Sequence, residues 1–509
     1  MTELKLNPIE RIKAEKNGLE ILNEIDDIAA QHDGWETLEP GDRERLKWIG
    51  TFYRKPTPAR FMMRVRITGG QVASDQLRTL ATISKRLGSG IMDLTTRQQI
   101  ELRDLRIVDI PEVLEALRDV DLSSLQTGLD NIRGVTTCAL AGLTPNELLD
   151  AGPIGEEFTQ IFQGNRDYAD LPRKLNVAIT GCLDNCIHSE TQDISMTPAI
   201  SGAGVHGFNL AVGGKMASGG MVIATPLDVF VAPNDAARLA AAIVLLFRDE
   251  GNREKRTKAR LAFLIADWGA PLFRERLEER WGAPLQHAGA DQRSDRKSDH
   301  LGVQPQRAPG MYSVGLCVPV GRVQADQVEE LTRLADLYGS GAIRLTTAQN
   351  AIIVDVPKAR LAALMAEPLL ALFSPEANAF SRGLVACTGS DYCNLALIET
   401  KTLAKGLADR MAERFPDAPP LTMHWSGCPA SCGNHQGADI GFQGAKARVN
   451  GQIVDAVSIF IGGRTGIDPK PAEKIMELVP VDELDALMPD LLERLALLKQ
   501  TQSLPVLTA

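Results

Sequence analysis

The chain has 509 residues, 44% of them hydrophobic and 24% charged, with a formal net charge of −10 at pH 7. That length exceeds what one hydrophobic core organises and predicts about three compact units, while the acidic balance argues against a nucleic-acid binder, whose phosphate contacts need a basic surface. No run of about eighteen apolar residues occurs, the nearest being a charge-flanked stretch around Leu239–Phe247, so no membrane-spanning helix is expected.

Residues 1–55 read as a polar, helical N-terminal arm. Its first residues carry acidic groups and no secretory apolar segment, which predicts a cytoplasmic protein. In that reducing compartment the eight cysteines are expected to act as ligands or core residues, not as disulfides.

An internal repeat follows. Gly70–Gln99 (GQVASDQLRTLATISKRLGSGIMDLTTRQQ) matches Gly321–Asn350 (GRVQADQVEELTRLADLYGSGAIRLTTAQN) at a constant offset of 251 residues. Each copy reads as strand, helix, Gly-Ser-Gly turn and strand, a small α+β unit. Further on, the Cys182/Cys186 turn answers the Cys428/Cys432 turn, and Leu210–Lys215 answers Ile459–Arg464. The chain is therefore a fused duplication. Its expected units are 56–125, 126–283, a polar linker 284–309, 310–365 and 366–509.

The two copies differ where chemistry is expected. Arg97 in Thr-Thr-Arg-Gln-Gln is replaced by Ala348 in Thr-Thr-Ala-Gln-Asn. The second copy alone carries two clustered pairs, Cys387/Cys393 as C-x5-C and Cys428/Cys432 as C-x3-C. Four soft thiolates complete either a zinc or an iron–sulfur site, and the five-residue gap is wide for structural zinc, so a 4Fe-4S cluster is the reading. Cys393 is expected to open a helix through Leu395, Leu397, Ile398, Leu403, Leu407 and Met411, whose N-terminus would favour its thiolate. In the first copy, Cys182 and Cys186 with a distant Cys138 cannot complete a four-thiol site and read as buried, inert residues. One half is built to hold metal and the other to present cations.

Asn450-Gly451 reads as a hairpin turn. Arg253, Lys255, Arg256, Lys258 and Arg260 read as a solvated basic helix face, with docking of an acidic electron carrier as the alternative. No dinucleotide fingerprint is present, which points to a separate one-electron donor.

Ala-Cys-Thr-Gly-x-x-x-Cys, Gly-Cys-Pro-x-x-Cys and Ala-Asp-Ile-Gly-Phe-x-Gly resemble the siroheme-dependent nitrite and sulfite reductases. So do Phe61-Met-Met-Arg-Val-Arg, Asp93-Leu-Thr-Thr-Arg-Gln, Asp130-Asn-Ile-Arg133 and Leu171-Pro-Arg-Lys-Leu-Asn176, and the likeness covers nearly the whole chain. It implies the pseudo-two-fold duplicated fold of that family, with two ferredoxin-like half-domains and two larger α/β domains for siroheme and cluster. By position in the motif, Cys387, Cys393, Cys428 and Cys432 would hold the cluster and Cys432 would also bridge to siroheme. Arg97, Arg133 and Lys174 resemble the substrate-binding cations, with Arg97 as an electrostatic clamp and Lys174 as proton donor. Lys215 and Arg464, in matching Gly-Gly turns, would meet siroheme carboxylates, or lie in ordinary turns. Asn176 resembles nitrite-reducing members, where sulfite-reducing members place a lysine; nitrite carries less charge than sulfite and needs one cation fewer. The resemblance implies six-electron reduction of nitrite to ammonium by a monomer, with ferredoxin as donor. Assimilatory sulfite reduction is the nearest alternative, a precorrin-modifying relative a remoter one, and a zinc-binding module belongs to another class.

Overall fold

The computed structural model of the protein describes residues 7–502. The arm contains the helices Pro8–Glu15, Ile25–Gln31 and Pro40–Arg45. Asn7 caps the first of them by accepting from the Ile9 and Glu10 amides. Trp48, fully buried, anchors the arm by donating to the Ala169 carbonyl at 2.7 Å. A Cβ on Gly18 would meet the Trp48 ring at 2.1 Å, so that contact requires glycine.

The repeats form two five-stranded sheets that exchange a strand. In the first, Thr51–Tyr53, Phe61–Val65, Ile100–Leu105 and Ile91–Leu94 accept Arg322–Gln324 from the second repeat. In the second, Gly302–Pro305, Met311–Leu316, Ala351–Pro357 and Ala342–Leu345 accept Gln71–Ala73 from the first. The registers are reciprocal: Arg322 faces Asp93, and Arg344 faces Gln71. The helices Ser74–Leu87 and Ala325–Tyr338 follow the exchanged strands, and their apolar faces share one core. Two side chains lock the exchange. Gln98 Nε2 donates to Leu345 O at 3.0 Å, and its counterpart Gln349 Nε2 donates to Leu94 O at 2.9 Å. Each half thus supplies an edge strand to the other's small sheet.

Each half then adds a larger sheet of the same topology. In the first, Ile132–Thr136, Leu175–Ile179 and Ile194–Ile200 run parallel, followed by antiparallel His206–Val212 and Thr225–Val231. In the second, Gly383–Ala386, Thr422–Ser426 and Ile440–Val449 run parallel, followed by antiparallel Gln452–Ile461 and Glu473–Pro480. Asn450 and Gly451, both with positive φ (49° and 83°), turn the long hairpin as their types demand. The stretch 284–309 does not hang free: Ala290–Asp291 pairs with Ile194–Ile200, Gly302–Pro305 edges the second small sheet, and His300 and Leu301 between them are buried. Among the described residues no helix is long and apolar enough to cross a membrane.

Candidate active site

Cys387 leaves the strand Gly383–Ala386, and Cys428 and Cys432 leave the strand Thr422–Ser426. The two strands are parallel neighbours, so both cysteine pairs emerge at one end of the same sheet. Cys428 stands within electrostatic reach of Cys432 and Cys393, and Cys387 of Cys432, so the four converge. Backbone amides face the sulfurs: Gly427 N–H donates to Cys387 Sγ at 3.1 Å and Leu395 N–H to Cys393 Sγ at 3.5 Å. Burial pushes the Cys387 thiol up to about 12 and the Cys428 thiol up to about 11. These sulfurs become thiolates only when a bound cation displaces their protons.

The helix expected from Cys393 starts later, at Lys401, and runs to Arg414. Residues 393–400 instead form a loop sewn onto the second cysteine turn, with Leu397 N–H donating to Gly427 O at 2.7 Å and Leu395 and Leu397 exposed. It is Cys387 that lies near the helix start, 3.9 Å from the Thr400 hydroxyl.

The C-x5-C loop is gripped where the two halves meet. Asp93 is buried between Arg103 and Arg322. Arg103 Nη2 also donates to the Thr388 hydroxyl at 3.1 Å, and both guanidinium groups lie over the Tyr392 ring, at 5.0 and 5.3 Å. The three arginine and lysine partners of Asp93 hold its carboxyl far below the usual range despite its burial.

Arg97 sits in the hairpin turn between Ile91–Leu94 and Ile100–Leu105. The neighbouring Thr96 hydroxyl donates to Cys432 O at 3.3 Å, so the turn of the first half docks on the cysteine turn of the second. Thr96, Arg97, Lys174, Asn176, Arg260 and exposed Cys432 line one pocket. Its free space is about 40 Å³, room for a small oxyanion with water. Arg97 Nε donates to Asn176 Oδ1 at 3.0 Å, and a Cβ on Gly134 would come within 3.1 Å of Arg97 Cδ. Arg133 does not line this pocket but stands within electrostatic reach of Arg97 and Lys174, its Nε donating to Leu129 O at 2.7 Å.

The pocket is overcharged. Burial, with Arg64 adding to it, brings Arg97 down to about 10. Burial, then Arg260, Arg133 and Arg97, holds Lys174 well below the ordinary lysine value. The buried counter-charge is Asp193, which accepts from both Arg260 (2.8–3.0 Å) and the Asn176 amide N–H (2.8 Å).

Arg260, expected among five solvated charges, is buried. Three of those five turn inward: Arg253 onto Glu10 and Asp170, Arg256 onto fully buried Asp130, and Arg260 onto fully buried Asp193. Lys255 and Lys258 alone of the five are exposed, and the segment is a short turn, not a helix face. Apolar Ala259 and Leu261 beside Arg260 were the available signal.

Lys215 and Arg464 do not share a pocket. Lys215 is buried 4.8 Å over the Phe263 ring, near Arg260. Arg464 pairs with Asp468 and lines a second cavity of about 530 Å³, together with Cys186, Ala348 and His424. Cys138, expected to be remote, closes on Cys182 and Cys186, all three Sγ atoms lying within 4.8 Å of one another.

Residues 53–120 and 304–371 match the nitrite/sulfite reductase ferredoxin-like half domain, and residues 128–285 and 377–496 match the nitrite and sulphite reductase 4Fe-4S domain. The chain belongs to the nitrite and sulphite reductase family. A family relative from Synechococcus elongatus, a ferredoxin–nitrite reductase, is 46% identical over 97% of this chain and 96% of its own length. The assimilatory ferredoxin-dependent nitrite reductase of Haloferax mediterranei is 38% identical over 96% of this chain and 88% of its own. The solved structure of Mycobacterium tuberculosis NirA superposes with a TM-score of 0.90 at 32% identity, covering 95% of this chain and 92% of that one. The duplicated family fold, with its two ferredoxin-like half-domains, is thus the fold of this protein.

Proposed function

We propose that the protein is an assimilatory nitrite reductase that takes electrons one at a time from ferredoxin and reduces nitrite to ammonium. The observation that carries the reading is one pocket in which Arg97, Lys174 and Asn176 of the first half face Cys432 of the second. The names of its relatives support the same reaction and donor.

The donor set fits siroheme coupled to a 4Fe-4S cluster. Four thiols with amide donors suit the cluster, and buried cations grouped beside Cys432 suit the carboxylates of a macrocycle at the pocket's edge and an anionic substrate within it. Cys387, Cys393, Cys428 and Cys432 would hold the cluster, Cys432 would also hold siroheme, and Lys215 lies beside the pocket. Arg464, on the other cavity, is a poorer candidate for the macrocycle. When bound, the coupled pair supplies an iron at which electrons arriving singly reduce the substrate's nitrogen.

The chain's own residues do the rest. Arg97 stays cationic throughout the physiological range and fixes the oxyanion. Lys174, with its lowered pKa, can both donate and regain a proton as oxygen leaves as water. Asn176 accepts from Arg97, so it aims the guanidinium and acts as a positioning residue.

Anaerobic turnover with reduced ferredoxin, run on nitrite and on sulfite, tests the proposal. It predicts ammonium from nitrite with six electrons consumed per ion; faster sulfide formation from sulfite would replace it with the sulfite-reductase reading.

A further inference from the structure

The first half carries its own group of sulfur ligands. Cys138 follows the strand Ile132–Thr136, as Cys387 follows Gly383–Ala386. Cys182 and Cys186 sit in a turn with left-handed residues at Asn185 (φ 43°) and His188 (φ 52°); the Cys428/Cys432 turn repeats them at Ser431 (φ 58°) and Asn434 (φ 58°). Both halves therefore present three sulfurs from the same places in the fold. The fourth differs, because the first half has no equivalent of Cys393. In its place comes His300, from the stretch joining the halves, with Nε2 at 3.6 Å from Cys138 Sγ. All four side chains are buried, Cys138 and Cys182 at 1%, His300 at 5% and Cys186 at 8% exposure.

Spacing separates the two sites. Ligands about 2.3 Å from a single tetrahedral ion stand about 3.8 Å apart, whereas cluster ligands each hold a different iron and stand wider. The sulfurs of Cys138, Cys182 and Cys186 all lie within 4.8 Å of one another, and among the described residues no other group of three or more Cys, His, Asp or Glu ligand atoms is that close; His300 stands outside this group, beside Cys138, and would close on a bound ion as its fourth ligand. The Cys387–Cys432 quartet is therefore more open, as a polynuclear occupant requires.

We propose that Cys138, Cys182, Cys186 and His300 form a second, mononuclear metal site that holds structural zinc. Three thiolates and one imidazole are a usual closed set for that ion. Arg344 and Lys297 stand within electrostatic reach of Cys138 and Cys186 and offset the net negative charge of the filled site. The second cavity, lined by both Cys186 and His300, gives the ion a route in. Zinc there would staple the inter-half stretch, through His300, to the first large sheet. The site lacks what the active pocket has, since Ala348 stands where Arg97 would be, so its role is structural.

The test is metal analysis of the full-length protein purified with its iron cofactors, joined to zinc X-ray absorption. It predicts about one zinc per chain, with roughly three sulfurs near 2.3 Å and one nitrogen near 2.0 Å. His300→Gln and Cys138→Ser should each lower zinc retention after mild chelation by at least about tenfold, as loss of one of four ligands does, while iron content stays unchanged. Should Cys138→Ser fail to fold, the absorption spectrum of the unaltered protein decides alone. Absence of zinc, extra iron in its place, or a disulfide between any two of the three cysteines would overturn the proposal. None of these outcomes depends on which oxyanion the enzyme reduces.

Discussion

Arg97 Nε donates to Asn176 Oδ1 at 3.0 Å, and the Asn176 backbone N–H donates to Asp193, which also holds Arg260. This chain of four residues ties a hairpin turn of the small sheet to the large one and fixes where the pocket's positive charge points. Asn176→Lys replaces the acceptor for Arg97 with another cation. Nitrite kcat/KM is expected to fall about tenfold, the scale of one lost charge-assisted hydrogen bond. The sulfite-to-nitrite ratio should rise, because the added charge suits the more highly charged ion. Steady-state assays on both ions check this; an unchanged ratio removes Asn176 from substrate selection.

Lys174 gives the pH dependence. Its folded pKa is lowered by burial and by three neighbouring arginines. As pH rises through that lowered value, Lys174 loses its proton and nitrite kcat/KM should fall. Lys174→Met is expected to abolish this limb and to lower kcat by about 10²–10⁴. Stability moves the other way. Between the folded and unfolded pKa the unfolded chain binds more protons, so stability rises with pH there. Removing the charge should accordingly raise the melting temperature, and a lower one in Lys174→Met would contradict the overcharged pocket.

Asp93 couples the halves to the cluster loop. It is 2% exposed and meets Arg103, Arg322 and Lys401. Asp93→Leu strips buried Arg103 and Lys401 and half-buried Arg322 of their shared anion and is expected to cost about 3–5 kcal/mol. Arg103 would also lose its orientation toward Thr388 and Tyr392, so cluster content per folded chain should drop. Denaturant unfolding and iron analysis of the soluble fraction measure both effects.

Much of this was legible in the residues. The duplication, the grouping of the four second-half cysteines and the Arg97/Ala348 difference follow from a gapless repeat and from ligand chemistry, which are local signals. What escaped was whatever depends on which strand pairs with which. Exchange of Gln71–Ala73 and Arg322–Gln324 pairs residues of one repeat with residues of the other, Arg322 with Asp93 and Arg344 with Gln71, and no periodicity announces it. Arg260 reads as surface charge until Asp193, 67 residues away, is placed against it. Cys138 is separated from Cys182 by more than forty residues, yet parallel pairing of Ile132–Thr136 with Leu175–Ile179 carries the two chain segments to one end of the sheet. The helix expected from Cys393 does not form, because the Leu397 amide pairs with Gly427 of the second cysteine turn in place of a helical partner.

The central claim is that nitrite chemistry belongs to the pocket shared by Arg97 and Cys432 and not to the larger cavity at Arg464. Nitrite affinity of the iron-loaded protein, followed by visible absorption in Arg97→Ala and in Arg464→Ala, separates the two. Arg97→Ala is expected to weaken nitrite binding by about ten- to a hundredfold, the cost of one charged donor, with Arg464→Ala unchanged. Weakened binding in Arg464→Ala with Arg97→Ala intact would contradict the claim.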